Sequence, residues 1–234
     1  MQPGSVELFI WYIGTALELA FVVCSIARKS FFTYFFLNLY MLLTVLADVA
    51  RWLVLRKFGF DSEQYMGCYY YTDALLTVLL YVSLISLYSR VFGELRFAKH
   101  MRLAAVVLLL ATAGFSYAVV AQSEPRLYTG SGFAYELSQN LYFVGIVLTY
   151  LLWGAVLKLR ETRTRLVQMV LSLGLYFSAY AASYALYNVA PQYGVVRYAA
   201  GAIGCLLPLA WCITLMRYSE DSRLAPAQLV AVPR

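Results

Sequence analysis

Long apolar stretches separated by short polar connections dominate the chain. Each marked stretch has roughly 20 residues, enough to cross a hydrocarbon layer of about 30 Å as a helix rising about 1.5 Å per residue. The stretches are residues 6–27, 32–56, 67–91, 101–122, 135–158, 165–188 and 193–217. Because little sequence remains between them, the pattern predicts an all-α integral membrane protein. It predicts one seven-transmembrane-helix bundle over residues 1–217 and a short cytoplasmic tail over 218–234.

The connections suggest how the helices are grouped. The longest one is predicted at residues 123–134, where Pro125, Gly130 and Gly132 interrupt the apolar pattern. Segments 6–91 and 135–217 each contain three predicted helices, with the fourth helix between them. This organisation is typical of proteins built from two parallel three-helix repeats. The sequence matches are weak, so a 3+1+3 pseudo-repeat and chance similarity in a biased composition both stay open.

Composition strengthens the membrane interpretation and limits the partners. The chain is 62% hydrophobic and 13% charged, whereas an ordinary soluble domain has about a quarter charged residues. Its formal net charge of +6 comes from short basic clusters beside the spans. Anionic lipid headgroups are therefore the partners that fit this charge, and nucleic acid is not expected. The composition favours an integral, multi-pass protein of the plasma or inner membrane.

Lysines and arginines predict the orientation of the bundle. Alternate connections carry most of them, and by the positive-inside rule those connections face the cytoplasm. The N-terminus is then outside and the C-terminus is cytoplasmic, in agreement with an odd number of spans. The basic set is Arg28, Lys29, Arg90, Arg96, Lys99, Arg102, Lys158, Arg160, Arg163, Arg165, Arg217, Arg223 and Arg234.

Polar residues recur within the apolar stretches at helical spacing, so that they share a helix face. Such faces avoid lipid because a charged side chain near the bilayer centre costs about 2.5–3.5 kcal/mol on insertion scales. We therefore expect them to face one another around a polar interior. The faces comprise Tyr40, Thr44, Asp48 and Arg51 in helix 2; Tyr69, Tyr70, Asp73, Thr77, Tyr81 and Tyr88 in helix 3; and Gln168, Ser172, Tyr176, Tyr180, Tyr184 and Tyr187 in helix 6. Helix 7 opens with Arg197, which is followed on the same side by Gly201, Gly204 and Pro208.

The charged members of these faces fall at one depth, nearer the outside. Asp48 and Arg51 are spaced i, i+3 and can neutralise each other, while Asp73 and Arg197 can complete a network without net charge. One interpretation is that this network only fixes helix packing. The other is that it marks a ligand or ion path, as ionisable groups inside membranes often do.

Glu18 and the tyrosines extend the candidate site. Glu18 lies about 18 Å of helix rise below the outer end of helix 1, at a depth where no base is predicted. It could be a proton or cation site, or a neutral carboxyl that donates a hydrogen bond to a neighbouring helix. Of the 21 tyrosines, Tyr40, Tyr65 and Tyr128 are expected in the interfacial belts. Deeper tyrosines, and Tyr70, Tyr71 and Tyr187 at the depth of the charges, are expected to line a chamber or bond between helices.

Residue inventory excludes several kinds of enzyme. The chain contains a single histidine, His100, in a predicted cytoplasmic connection. Histidine-rich oxygenases, zinc hydrolases, His-ligated haem proteins and a Ser–His pair inside the membrane are therefore excluded. No nucleophile–base or metal constellation is visible. We expect no enzymatic activity, no cofactor and no metal site.

The outline resembles microbial rhodopsins: seven helices, an outer N-terminus and, in "YYYTDALLTVLL", an acid near the outer start of helix 3. In that family a lysine in the middle of helix 7 links retinal, but "VVRYAAGAIGCLLPLAWCITL" contains no lysine. Because this lysine is absent, a covalently bound retinal is not expected. The outline is also similar to sugar-transporting families with a 3+1+3 arrangement, but no motif carries that similarity. Topology by itself is analogy, so no family is assigned.

The leading hypothesis is an outward-facing polar and aromatic pocket inside the membrane that binds or transports a small solute. Its predicted ligand-binding residues are Asp48, Arg51, Asp73, Arg197, Tyr69, Tyr176, Tyr180 and Tyr184, with Glu18 as a proton or cation site. Two alternatives stay open: a structural or accessory subunit bound to a membrane-protein partner, and a non-enzymatic sensor. In both, the charged cluster would only fix helix packing.

Overall fold

The structure, a computed structural model, describes residues 5–60, 62–91, 98–122, 129–158, 163–189 and 194–219, and these form a helical bundle. The helices of the described residues are α1 (Ser5–Ala27), α2 (Phe35–Phe58), α3 (Glu63–Val91), α4 (Ala98–Gln122), α5 (Thr129–Lys158), α6 (Thr164–Val189) and α7 (Gly194–Arg217). Each coincides with one predicted apolar stretch. The largest difference is at α5, which begins at Thr129 rather than at 135. The predicted loop there was too long, because Gly130 and Gly132 continue the helix instead of breaking it.

Six of these helices are long and apolar enough to cross a membrane, with mean hydropathies between 1.4 and 2.3. In α7, the corresponding apolar segment among the described residues is shorter, Gly201–Arg217. The described part of the chain is thus an all-helical, apolar bundle of the kind found in multi-pass membrane proteins. The predicted tail over 218–234 lies mostly outside the described residues.

Local signals in the sequence end and begin the helices. Gly59 ends α2 with a left-handed φ of 84°, and its N–H donates to Leu55 O over 2.9 Å. Ser62 then caps α3, because its Oγ accepts the backbone N–H of Tyr65 at 3.1 Å. Lys29 ends α1 with a φ of 53°, a Schellman-type end in which Ser30 N–H donates to Ser25 O.

Six helices form a closed ring in the order α1, α2, α3, α5, α6, α7, with α7 packed back against α1. Helix α4 lies outside this ring, against α5 and more weakly α3. Two polar contacts hold it there: Tyr81 O–H donates to Ala105 O at 3.0 Å, and Asn140 Nδ2 donates to Ser116 Oγ at 3.0 Å. The ring order places α1–α3 and α5–α7 as consecutive triplets; their origin by duplication stays a prediction.

The two ends of the ring differ. We call the end where α2 gives way to α3 the cavity end, and the end where α7 finishes the basic end. Toward the basic end the interior is filled by a hydrophobic core. Trp211 is fully buried at its centre, with its ring 5.7 Å from that of Phe21 and its Nε1 donating to Met169 O. Other fully buried members include Leu37, Leu80, Leu84, Leu87, Leu173 and Phe177.

Arginine side chains close the basic end by binding backbone carbonyls. Arg165 is 4% exposed; its Nη1 donates to Ser30 Oγ at 2.9 Å and its Nε to Tyr218 O at 3.1 Å. Arg28 Nη2 donates to Met216 O at 3.0 Å. These bonds satisfy carbonyls at the end of α7, where a positive charge is also favoured by the helix dipole. They tie the end of α1 and the start of α6 to the end of α7.

Helices α5 and α6 approach closely through two glycines. A Cβ added at Gly145 would overlap the ring of Phe177, and one added at Gly174 would lie 2.9 Å from Thr149 Cγ2. Each glycine thus receives a side chain of the opposite helix. Small residues at helix interfaces permit this kind of packing inside membranes. The contact sets how the tyrosines of α5 and α6 face each other.

Candidate functional site

A cavity of about 660 Å³ occupies the ring from the cavity end to its middle. On α1 its lining extends from Leu8 to Glu18, which corresponds to a depth of about 15 Å at the rise of an α-helix. All six ring helices contribute side chains. The sequence predicted a chamber between helices 2, 3, 6 and 7, and the structure adds α1 and α5 to its wall.

Most of the predicted site residues line this one cavity. Its lining includes the predicted residues Glu18, Asp48, Arg51, Tyr69, Asp73, Tyr176, Tyr180 and Tyr184. Arg197 is part of the helical backbone of α7, but its side chain lies outside the described residues. The arrangement brings the eight described residues together, and their predicted roles in binding stay predictions.

Asp48 on α2 is bonded to α1 and is paired with a base of its own helix. Its Oδ2 accepts a hydrogen bond from Thr15 Oγ1 on α1 at 2.6 Å. Its Oδ1 lies 3.9 Å from Nη1 of Arg51, and both side chains are only 13% exposed. This i, i+3 pair agrees with the expectation that the two charges neutralise each other.

Arg51 crosses from α2 to α3. Its Nε donates to Thr72 Oγ1 at 2.8 Å, and its Nη2 donates to Tyr69 O at 3.4 Å. The guanidinium carbon lies 4.6 Å from the centre of the Tyr69 ring, a cation–π contact. Arg51 therefore holds α2 and α3 together while one side of it borders the cavity.

Asp73 is held by a tyrosine rather than by a base. Tyr184 O–H on α6 donates to Asp73 Oδ2 at 3.4 Å. Among the described residues no base lies within ion-pair distance of Asp73, although Arg51 is near enough to interact with it electrostatically. The predicted network is therefore realised as one ion pair with Asp73 beside it, and the contribution of Arg197 stays a prediction.

Glu18 differs from the two aspartates. It is 7% exposed and lines the deep part of the cavity, and its Oε2 has no hydrogen-bond partner among the described residues. The charged groups that interact with it electrostatically are Asp48 and Arg51. A buried polar atom without a partner costs free energy. Glu18 is therefore the acid in the cavity whose hydrogen bonding the fold leaves incomplete.

Nine tyrosines line the cavity, and five of them form a compact group that we call the tyrosine cluster: Tyr40, Tyr142, Tyr176, Tyr180 and Tyr184. The rings of Tyr142 and Tyr180 are stacked at 4.8 Å with 7° between their planes. Tyr176 lies 4.7 Å from Tyr180, and its hydroxyl is 3.3 Å from that of Tyr40. The cluster therefore connects α2, α5 and α6 by ring faces and hydroxyl groups.

Several tyrosine predictions were wrong. Tyr40 and Tyr65 are buried and line the cavity instead of forming an interfacial belt. Tyr71 is 58% exposed and is not part of the cavity wall. Tyr81 lies outside the wall as well, but its O–H donates to Ala105 O of α4, which is the bond between helices expected as one alternative for the deeper tyrosines. Their positions depend on which face each helix presents to its neighbours, which depth does not determine. Tyr128 and the side chain of Tyr187 lie outside the described residues.

Tyr135 and Tyr142 on α5 were missed by the sequence analysis. Both line the cavity, seven residues apart on one helix face. Tyr135 contacts Tyr70 and Tyr184, with ring centroids 6.1 and 5.5 Å away. The sequence shows this seven-residue spacing, but the face of α5 that carries the two tyrosines contains no charged residue of the predicted network, so it was not included in the predicted site.

Pro208 removes one backbone hydrogen bond from α7 at the level of the cavity. Proline has no N–H, so it cannot satisfy the carbonyl four residues earlier, which belongs to Gly204. Both residues line the cavity, and a Cβ at Gly204 would lie 3.4 Å from Tyr180 Oη. The small residues of α7 also permit its close approach to α1, because a Cβ at Gly201 would lie 3.1 Å from Ile10 Cγ2.

The chain matches no protein-family model, no curated protein and no solved structure. Among the described residues, no group of three or more His, Cys, Asp or Glu side chains is placed to hold a metal ion. Function must therefore be inferred from the cavity itself.

Proposed function

We propose that this chain is a non-enzymatic, seven-span protein of the plasma or inner membrane whose cavity binds or transports a small solute. The observation that carries the proposal is the cavity of about 660 Å³, which is lined by residues of six helices and by polar and aromatic side chains from five of them. This volume is in the range of small-molecule sites, which are concave, largely apolar and supplied with a few polar groups. Asp48, Arg51, Asp73 and Arg197 would form its polar wall.

The topology is part of the proposal. Helix α7 has 24 residues, which would span about 36 Å, so it is long enough to be a seventh crossing. Arg28, Arg90, Arg163, Arg165 and Arg217 lie at the basic end, which the positive-inside rule would place in the cytoplasm. The cavity would then face outward, with the hydrophobic core closing the way to the cytoplasm.

Binding can be tested with the purified protein in lipid nanodiscs. A panel of anionic, neutral, zwitterionic and cationic solutes is added, and the melting temperature is recorded, because a ligand that binds the folded state raises it. Ser183→Trp fills the cavity, since Ser183 lines its wall. Ala182→Trp is the matched control, because this neighbouring residue is exposed on the outer surface of the same helix.

We expect at least one solute class to stabilise the wild type and Ala182→Trp but not Ser183→Trp. Uptake into proteoliposomes then separates transport from binding alone. If no class shifts the wild type, or if Ser183→Trp responds as the wild type does, the cavity is not a solute site.

The packing interpretation applies to part of the cluster. Asp48 and Arg51 are bonded to Thr15 and Thr72 of neighbouring helices, as expected of residues that fix helix positions. An accessory subunit built on such contacts would co-purify with a defined membrane-protein partner and show no solute-dependent stabilisation. That pair of results would favour the structural function over the proposed one.

A further inference from the structure

We propose that the solute is a small organic cation, whose charged nitrogen lies between the Glu18 carboxyl and the tyrosine cluster. This inference rests on the proposed solute-binding function and names the chemical class of the solute. Charge and aromatic surface support it independently.

Acids outnumber bases around the cavity. Glu18, Asp48 and Asp73 line it, whereas Arg51 is the base among the described lining residues. If Arg197, on the same face of α7 as Gly201, also reached the cavity, the acids would still be in excess. A positive solute therefore balances the lining better than an anion does, because charges removed from water require partners.

Glu18 is the acid that a ligand can use. Asp48 is occupied by Thr15 and Arg51, and Asp73 accepts from Tyr184. The Glu18 side chain is 93% buried, since 7% is exposed, and its Oε2 has no partner among the described residues. An ammonium group at this position would supply the missing hydrogen bond or the missing counter-charge.

The tyrosine cluster provides the second half of the site. Tyr40 interacts electrostatically with Glu18, and its hydroxyl lies 3.3 Å from that of Tyr176, so the acid and the rings are neighbours. Aromatic faces attract cations through the ring quadrupole and recognise alkylated ammonium groups in particular.

The size and apolar character of the site favour an organic cation over a metal ion. A cavity of about 660 Å³ with apolar residues such as Met41, Leu76 and Leu207 in its wall has room for hydrocarbon substituents. Burial of those substituents contributes affinity that an inorganic cation cannot obtain.

The test compares choline with a neutral molecule of the same shape, and adds two other organic cations and one inorganic cation. Choline, its neutral carbon analogue dimethylbutanol, tetraethylammonium, phenethylamine and potassium are titrated by calorimetry into the wild type in nanodiscs. Variants Glu18→Gln and Tyr180→Leu remove the counter-ion and one ring, while Tyr180→Phe keeps the ring. Glu63→Gln and Tyr150→Leu are matched controls, since both residues are exposed and outside the cavity wall.

We expect choline to bind the wild type at least about tenfold more tightly than its neutral analogue, because only choline gains the cation–π contacts and the counter-charge of the carboxyl. Glu18→Gln should remove most of that preference. Tyr180→Leu should weaken cation binding, Tyr180→Phe should largely preserve it, and the control variants should match the wild type.

Several results would overturn the inference. They are equal binding of the neutral analogue, stronger binding of potassium than of any organic cation, or an unchanged charge preference in Glu18→Gln. If the organic cations fail but another class from the solute panel stabilises the wild type and not Ser183→Trp, the cation inference is wrong and the solute cavity stands. If every class fails, both proposals are wrong.

Discussion

Replacing Gly145 with alanine tests the α5–α6 contact that positions the tyrosine cluster. The added Cβ would lie 2.8 Å from Phe177 Cζ and closer still to Cδ1 and Cε1. Phe177 is fully buried, and its ring centroid is 6.0 Å from that of Tyr142. The ring therefore cannot yield without displacing α6 or the tyrosine beside it.

Two opposing effects set the magnitude. Alanine is favoured over glycine inside a helix by up to about 1 kcal/mol, whereas overpacking a core costs about 1–3 kcal/mol. Because the overlap involves three atoms of a buried ring, we expect a cost near the upper limit and a net loss of about 2 kcal/mol. For a chain of this size that lowers the melting temperature by about 4–8 °C.

Gly154→Ala is the matched control on the same helix. A Cβ at Gly154 would meet no other atom within 4 Å, so the substitution should only add helix propensity, up to about 1 kcal/mol. Both variants are melted in nanodiscs, followed by circular dichroism, and the affinity for the stabilising solute is measured in each. If Gly145→Ala melts at or above the wild-type temperature, as we expect for Gly154→Ala, the close α5–α6 contact is wrong.

Three further predictions address the packed half of the bundle. Trp211→Ala should lower the free energy of unfolding, measured in SDS titrations, by about 3–5 kcal/mol. Trp153 is 39% exposed, so Trp153→Ala should lower it by about 0.5 kcal/mol or less. Equal losses would contradict the central position of the Trp211 indole. Arg165→Leu removes the donors to the Tyr218 carbonyl at the end of α7 and should lower the free energy of unfolding by about 1–3 kcal/mol. Amide hydrogen exchange at the end of α7 should become faster. Unchanged exchange would contradict a stabilising role for these hydrogen bonds. Mild oxidation should link Cys24 and Cys212, whose sulfurs are 3.5 Å apart, and mass spectrometry should find the linked peptides; a link to another cysteine instead would contradict the α1–α7 register.

Hydropathy predicted the helices well, because a membrane span must be long, apolar and hydrogen-bonded within itself. The helical period also identified correctly that the polar residues of α2 and α6 share faces toward the interior. Asp48 and Arg51 were expected to pair because their spacing alone brings them together. These features depend on one helix at a time.

Features that depend on pairs of helices were harder to predict. Helix α4 lies outside the ring because of how the surfaces of the helices fit together, which the sequence of one helix does not show. The mean hydropathy of the α4 span is 2.3, the highest among the six candidate spans, and this value did indicate a helix at the periphery of the bundle. Tyr40 was assigned to a belt from its depth, but its hydroxyl meets Tyr176 inside the bundle. Likewise, the glycines that join α5 to α6 have meaning only once Phe177 and Thr149 are known to face them.

The polar groups of the cavity carry two different roles, and the hydrogen bonds separate them. Thr15–Asp48, Arg51–Thr72 and Tyr184–Asp73 each join two helices at the level of the cavity. These hydrogen bonds hold neighbouring helices together along the cavity wall. The interior therefore does not have to be packed with side chains at this level, as it is around Trp211. Glu18 makes no such link through Oε2 among the described residues, so this oxygen does not hold two helices together. Substitutions of the linking residues should therefore change cavity shape and stability together, whereas Glu18→Gln should change the charge preference of the cavity while the bundle stays folded.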